Sequence, residues 1–173
     1  MWQQARTIRL LAMDVDGVLT DGRILLDHQG RELKCFHVHD GQGIVLAQRA
    51  GLPIAWISGR ASEAVEQRAM ELKVSWVYQQ VADKVQVLRE LLLHIGLDAS
   101  AVAYIGDDLG DLPLLRRVGL PIAVANALPE VRACAAWVTR REGGQGAVRE
   151  VIDRLLRAQG RWAAVVQDYW HAE

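Results

Sequence analysis

An α/β fold, a doubly wound parallel sheet with one protruding β-hairpin, is predicted by three observations. Short apolar runs alternate with stretches of helical periodicity along the 173 residues, the pattern of buried strands covered by helices on both faces. Two of these runs end in clusters of carboxylates, Asp14 and Asp16 after the first and Asp107, Asp108 and Asp111 after a later one; in such sheets ligands gather outside the carboxyl ends of the strands. Between residues 23 and 39, two extended segments flank a polar turn at residues 27–30, which reads as a hairpin.

Composition bounds the function. A chain of this length with 51% hydrophobic residues can bury a substantial core, and one domain spanning residues 1–173 is expected. Twenty Lys and Arg against 21 Asp and Glu give a net charge of -1 without a long block of either sign, which argues against nucleic acid as the main partner. No apolar stretch approaches the length needed to cross a bilayer, and the N-terminus lacks the apolar core of a leader. A cytoplasmic protein without a membrane partner is the expectation. Cys35 and Cys134 have neither Cys-x-x-Cys spacing nor a thiol nearby in sequence, so buried reduced thiols are expected rather than a disulfide or a zinc site.

The elements follow in order. The apolar run of Ile8, Leu10, Leu11 and Ala12 forms the first strand. Asp14 and Asp16 then stand two residues apart, on one face if the strand continues, and Gly17 lets the backbone turn away. Two acids so placed repel unless a cation, a proton or a substrate charge compensates them, and a divalent metal is the simplest remedy; an isolated Asp-x-Asp-Gly can equally be a turn. In the second arm of the hairpin, Leu33, Cys35, His37 and His39 alternate with Lys34, Phe36 and Val38, leaving apolar surface on both faces; pairing with another subunit is expected. His37 and His39 could share a metal, but no third ligand with matching spacing is evident, and edge-strand or site-rim histidines are the simpler reading. Gly41 and Gly43 read as turn glycines before a helix over residues 44–50, closed by Gly51.

Residues 52–58 form a buried strand ending at Ser58, Gly59 and Arg60, and a helix carrying Val65, Arg68, Ala69 and Leu72 follows. Ser58 suits either a turn or an anion lying before a helix N-terminus. A third strand occupies residues 75–78 and a helix residues 81–95; Lys84 lies in its first turn, where the helix dipole disfavours a cation unless an anion faces it. Residues 101–106 form the fourth strand, and Asp111 can cap the helix after it, helped by Pro113, although capping accounts for one acid better than for three. Strands at 120–124 and 136–138 flank a short helix at 129–135. Arg140, Arg141, Gly143, Gly144 and Gly146 precede a helix over residues 147–158 and suit either an anion-wrapping or a solvated loop. From Gly160 onward, Trp162, Val165, Val166, Tyr169 and Trp170 make the stripe of an amphipathic helix that docks on the core.

Taken jointly and in order, the Asp-x-Asp-Gly at Asp14, the strand-ending Ser58, Lys84 and the Gly-Asp-x-x-x-Asp run from Gly106 to Asp111 resemble the four motifs of the haloacid-dehalogenase superfamily of aspartate-nucleophile phosphatases. The resemblance covers nearly the whole chain. The runs DVDGVLTDG from Asp14, FHVHDGQGI from Phe36, SGR from Ser58, GDDLGD from Gly106 and GGQGAVRE from Gly143 look like the family of 3-deoxy-D-manno-octulosonate 8-phosphate phosphatases. His39 departs from the family's pattern, which has arginine there.

The resemblance implies a Rossmann-like haloacid-dehalogenase fold without a cap domain, and a phosphatase in lipopolysaccharide synthesis acting on a phosphorylated sugar acid. It implies Asp14 as nucleophile and Asp16 as general acid and base. Mg²⁺ would be held by Asp14, the Asp16 backbone carbonyl and Asp107, supported by Asp108 and Asp111. Ser58 and Lys84 would bind the phosphoryl oxygens. Arg60, Arg68 and the glycine-rich segment at Gly143 and Gly144 are candidates for substrate or subunit contacts. Segments between the motifs are too short for a cap, so a neighbouring subunit is expected to cover the site, in agreement with the family's homotetramer. Phosphatases of nine-carbon sugar acids share these motifs and are the close rival. A non-catalytic phospho-receiver is the distant one; it carries its acceptor on the third strand and lacks an acid two residues beyond.

Overall fold

Residues 2–170 are described by a computed structural model. The chain begins with a short helix, α1 (Trp2–Thr7), then β1 (Leu10–Met13), the hairpin strands β2 (Leu25–Leu26) and β3 (Glu32–Leu33), and α2 (Val38–Arg49). Next come β4 (Ile54–Ile57), α3 (Glu63–Leu72), β5 (Trp76–Tyr78), α4 (Lys84–Ile95) and β6 (Val102–Gly106). The rest is α5 (Leu112–Leu115), β7 (Leu120–Ala123), α6 (Pro129–Cys134), β8 (Trp137–Val138), α7 (Ala147–Ala158) and α8 (Trp162–Trp170).

Six strands form one sheet in the order β5-β4-β1-β6-β7-β8, every pair parallel. Every residue of β1, β4 and β6 is buried, as continuous apolar runs require when helices cover both faces. Because β1 is central and parallel to β6, with Met13 opposite Ile105, the two acidic strand ends emerge side by side. No cap domain stands over them among the described residues; only the hairpin and loops do.

Several expectations are corrected. The hairpin is shorter than residues 23–39: its strands have two residues each, and α2 already starts at Val38. His37 caps α2, its Nδ1 accepting from the His39 amide at 3.2 Å, so the two histidines belong to a helix start and not to a strand face. Gly41 and Gly43 lie inside α2 rather than in a turn, because a Cβ at Gly43 would lie 3.3 Å from the Cα of Arg149 and one at Gly41 would meet the Arg68 guanidinium at 2.1 Å. Helix propensity yields here to close packing against α3 at Gly41 and against α7 at Gly43. At the N-terminus, α1 was not foreseen; Ala5 is buried, and the Gln159 amide donates to the carbonyls of Ala5 and Ile8 at 3.1 and 2.9 Å. Cys35 is exposed, not buried, because it lies beyond the sheet on the arm leaving β3. In α8, Val165 is buried but Trp170 is largely exposed, so the stripe docks only at its start; residues 171–173 and the side chain of Tyr169 lie outside the described residues.

Candidate active site

β1 delivers Asp14 to the sheet's carboxyl edge, where its Oδ1 accepts from the Val15 amide at 2.8 Å. Lys84, the first residue of α4, sends its ammonium back over that edge, 3.0 Å from Asp14 and 2.8 Å from Asp111. The cation tolerates a helix N-terminus because Asp83 caps α4, accepting from the amides of Val85 and Gln86, and because two carboxylates face it. Asp111 is held on every side: Tyr104 Oη donates to it at 2.7 Å, and the amides of Asp107 and Asp108 donate to its other oxygen at 3.0 and 3.4 Å. Asp108 instead caps the turn at residues 109–111, its side chain accepting from the Leu109 amide. These acids, with Asp16, Gly22, Ser58, Gly59, Arg60, Lys84 and Gly110, line a cavity of about 360 Å³. Ser58 is buried at the end of β4, and its Oγ accepts from the Arg60 amide at 3.1 Å.

Crowding governs the charges. Burial, then Asp111, push the Asp14 carboxyl up to about 6 against the pull of Lys84. Asp107 is raised to about 8 by burial and by the surrounding Asp14, Asp111 and Asp108. Burial pulls Lys84 down, but Asp14 and Asp111 outweigh it and hold the ammonium charged. Carboxylate oxygens of Asp14, Asp107 and Asp111 lie within 4.8 Å of one another, and Asp107 Oδ1 is buried without a hydrogen-bond partner. One lysine cannot balance this set. A hard divalent cation with oxygen ligands fits it: Asp107 has the unpartnered oxygen, the contacts of Asp14 with Lys84 and Val15 both fall on Oδ1, and both oxygens of Asp111 are tied to Lys84, Tyr104 and backbone amides.

The loop between the two catalytic-face acids and the hairpin is braced from behind. Thr20 is buried, and its Oγ1 accepts from the amides of Gly17 and Gly22, both at 3.3 Å. Gly17 has φ +88°, and a Cβ there would lie 2.0 Å from Asp107, so only glycine fits. Gly143 and Gly144 do not line the cavity; they press on this loop, with Gly144 N donating to the Val18 carbonyl at 2.9 Å and a Cβ at Gly143 falling 1.7 Å from the Gly17 oxygen. Asp40, buried in the first turn of α2, holds the other end of the segment: it accepts from the amides of Gly146 at 3.2 Å and Arg149 at 2.7 Å. A carboxylate over a hundred residues away in sequence thus caps α7, whose own N-cap is a glycine.

Across the mouth, Asp16 Oδ1 receives the Lys34 ammonium. Lys34 also reaches Glu32 at 3.3 Å, and Arg60 contacts Glu32 at 2.9 Å and Asp16 at 3.6 Å. Arg68 lies elsewhere: it pairs with Glu71 at 2.6 Å, packs over Phe36 and faces Gly41 outside the cavity. Reading the sequence singled out neither Lys34, Glu32, Thr20, Tyr104 nor Asp40. Only Lys34 carried a signal, a polar residue alternating with apolar ones in the hairpin arm.

A parallel sheet whose edge sets a buried aspartate beside a lysine and a carboxylate cluster suited to a divalent cation defines a class, the phosphoryl-transferring hydrolases that attack through aspartate. The model of the haloacid dehalogenase-like hydrolases matches residues 63–152. The 3-deoxy-D-manno-octulosonate 8-phosphate phosphatase KdsC of Escherichia coli K12 is 46% identical over 158 residues, 91% of this chain and 84% of its own. Among solved structures, that phosphatase from Moraxella catarrhalis, in complex with magnesium ion, phosphate ion and KDO, superposes with a TM-score of 0.94 at 42% identity, covering 97% of each chain. The Yersinia pestis enzyme superposes with a TM-score of 0.92 at 46% identity, covering 94% of this chain and 88% of its own. This chain belongs to the haloacid dehalogenase-like hydrolases and, within them, to the family of the 3-deoxy-D-manno-octulosonate 8-phosphate phosphatases.

Proposed function

We infer that this chain hydrolyses 3-deoxy-D-manno-octulosonate 8-phosphate to the free sugar acid and phosphate, with Mg²⁺ as cofactor, in lipopolysaccharide synthesis. The observation that carries the reading is the buried Asp14 flanked by Lys84 at 3.0 Å and by the Asp107 carboxylate cluster, in a chain 46% identical to a phosphatase of that name.

In this reading Asp14 attacks phosphorus as the bond to the sugar oxygen breaks, forming an aspartyl-phosphate, and Asp16 gives its proton to the departing oxygen. Water then attacks phosphorus, Asp16 takes a proton from it, and Asp14 is released with phosphate. Lys84 and Ser58 hold the phosphoryl oxygens, opposing charge that develops during transfer. Mg²⁺ would be held by Asp14, the Asp16 backbone carbonyl and Asp107, and would supply charge neutralisation at the phosphate. Asp111 and Asp108 act from behind: Asp111 orients Lys84 and the Asp107 backbone, and Asp108 fixes the turn that carries Asp111. Arg60 faces the sugar end of the cavity.

The chain functions as one domain in the cytoplasm and assembles as a homotetramer. Supporting the assembly, Ile24, Leu25, Leu26 and Leu33 are exposed on the hairpin, an apolar surface seeking a partner. Phosphate release with Mg²⁺ tests the function: the eight-carbon 8-phosphate is expected to be preferred over the nine-carbon 2-keto-3-deoxynononate 9-phosphate, with no release by Asp14→Asn. Preference for the nine-carbon ester would transfer the activity to that substrate, and release that persists in Asp14→Asn would overturn the mechanism.

A further inference from the structure

At the mouth of the cavity, Asp16, Lys34, Glu32 and Arg60 alternate in sign and close a ring, Arg60 Nε returning to Asp16 at 3.6 Å. The Lys34 side chain is 2% exposed, and a cation so deeply placed needs an anion at all times. Glu32 supplies it. Glu32 also occupies the Arg60 guanidinium, whose planar fork is built for carboxylates. Glu32 itself sits on a strand of two residues in a hairpin whose leucines are exposed, so the ring is not a by-product of a packed core. Arg60 is half exposed and lines the cavity.

A substrate placing its leaving oxygen against Asp16 brings the rest of its body across this ring. Lys34 and the Arg60 fork both engage the Glu32 carboxylate, so a second carboxylate reaches them only by taking its place. Exchange of one carboxylate for another keeps the charge the ring already holds and leaves neither Lys34 nor Arg60 unpaired. Building on the reading of a sugar-acid phosphate as substrate, we propose that Glu32 is a specificity-determining stand-in for the substrate's carboxylate, which displaces it from Arg60 and Lys34 on binding. A neutral phosphate ester gains nothing from the exchange, so the ring selects for acids twice: it offers two cations and it keeps them occupied until a competing carboxylate arrives.

The test compares KM for 3-deoxy-D-manno-octulosonate 8-phosphate with KM for p-nitrophenyl phosphate in the wild type, Glu32→Gln and Glu32→Ala, all with Mg²⁺. Removing the competitor is expected to lower the ratio of the two KM values about fivefold in both variants, the strength of one partly exposed charged pair. A ratio unchanged or raised in both variants, while the wild type still prefers the sugar acid, overturns the stand-in and leaves the proposed function intact. A wild type without preference for the sugar acid removes both together.

Discussion

At the strand ends, Asp14 and Asp111 are buried with a partly buried Lys84 between them, the acids tied to backbone amides and to Tyr104 and joined to the lysine by contacts of 2.8 to 3.0 Å, whereas across the mouth a half-exposed Arg60 reaches Asp16 and Glu32 through a long, rotatable stem. One half is set before substrate arrives; the other can rearrange around it. The division matches the chemistry. Phosphoryl transfer rewards fixed dipoles and charges, because they need no reorganisation as charge develops, while a sugar acid of varied shape is better met by side chains that exchange partners. Changes in the fixed half should therefore act on kcat, and changes at the mouth on KM.

The largest effect that would sharpen this contrast is expected at Gly143. A Cβ there meets the Gly17 carbonyl at 1.7 Å, and backbone cannot yield as a flexible side chain would. Gly143→Ala is expected to lower kcat about a hundredfold or more through displacement of the loop that follows Asp14 and seats Gly17 against Asp107, with KM little changed. A variant whose loss falls mainly on KM would break the contrast.

Charge at the fixed half gives the next effect. Asp107 at about 8 and Asp14 at about 6 both lie above the ordinary aspartate value of 3.8. Acids raised on folding contribute stability that is present below about pH 4 and lost as pH climbs through those two values. Mg²⁺ must displace their protons to bind, so its affinity should rise with pH by up to about tenfold per unit for each proton released. Melting temperatures with Mg²⁺ and with EDTA should accordingly diverge between pH 5 and 8. A gap that stays constant across that window would show that these carboxylates are not charge-frustrated in the metal-free protein.

The smallest effect concerns how far rigidity extends. Asp40 touches no reacting group, yet it anchors the segment that braces the catalytic loop. Asp40→Ala leaves the Gly146 and Arg149 amides unpaired and is expected to cost about 1 to 2 kcal/mol in denaturant unfolding, with Asp40→Asn retaining an acceptor and losing less. Equal losses in the two variants would show that charge, not capping, is what Asp40 provides.

These comparisons also show what was legible in advance. The alternation of buried strands and amphipathic helices was readable because burial on two faces leaves a continuous apolar run, a local signature. Helix α7 was located to the residue, since its apolar positions at Val148, Val151, Ile152, Leu155 and Leu156 repeat with helical spacing and all are buried. The start of α2 is hidden in the sequence, because Gly41, Gly43 and an alternating hairpin arm mimic a turn after a strand, and only the approach of α3 at Gly41 and of α7 at Gly43 explains the glycines. Gly143 and Gly144 were noticed as a group, but their loop was read toward solvent or ligand, while they face inward onto Gly17 and Val18.

By itself the sequence determined which residues stand at the ends of strands: Asp14, Asp16, Ser58 and the acids from Asp107 to Asp111 follow from apolar runs and the turns that close them, which involve neighbours in the chain. What the tertiary structure alone decided is who meets whom. Lys84 bridges Asp14 and Asp111, Asp40 caps a helix that begins at residue 147, and Glu32 and Lys34 close a ring with Asp16 and Arg60. Such pairings depend on the sheet order and on the approach of whole elements, and no local pattern of residues encodes a distance between segments that the chain brings together only on folding.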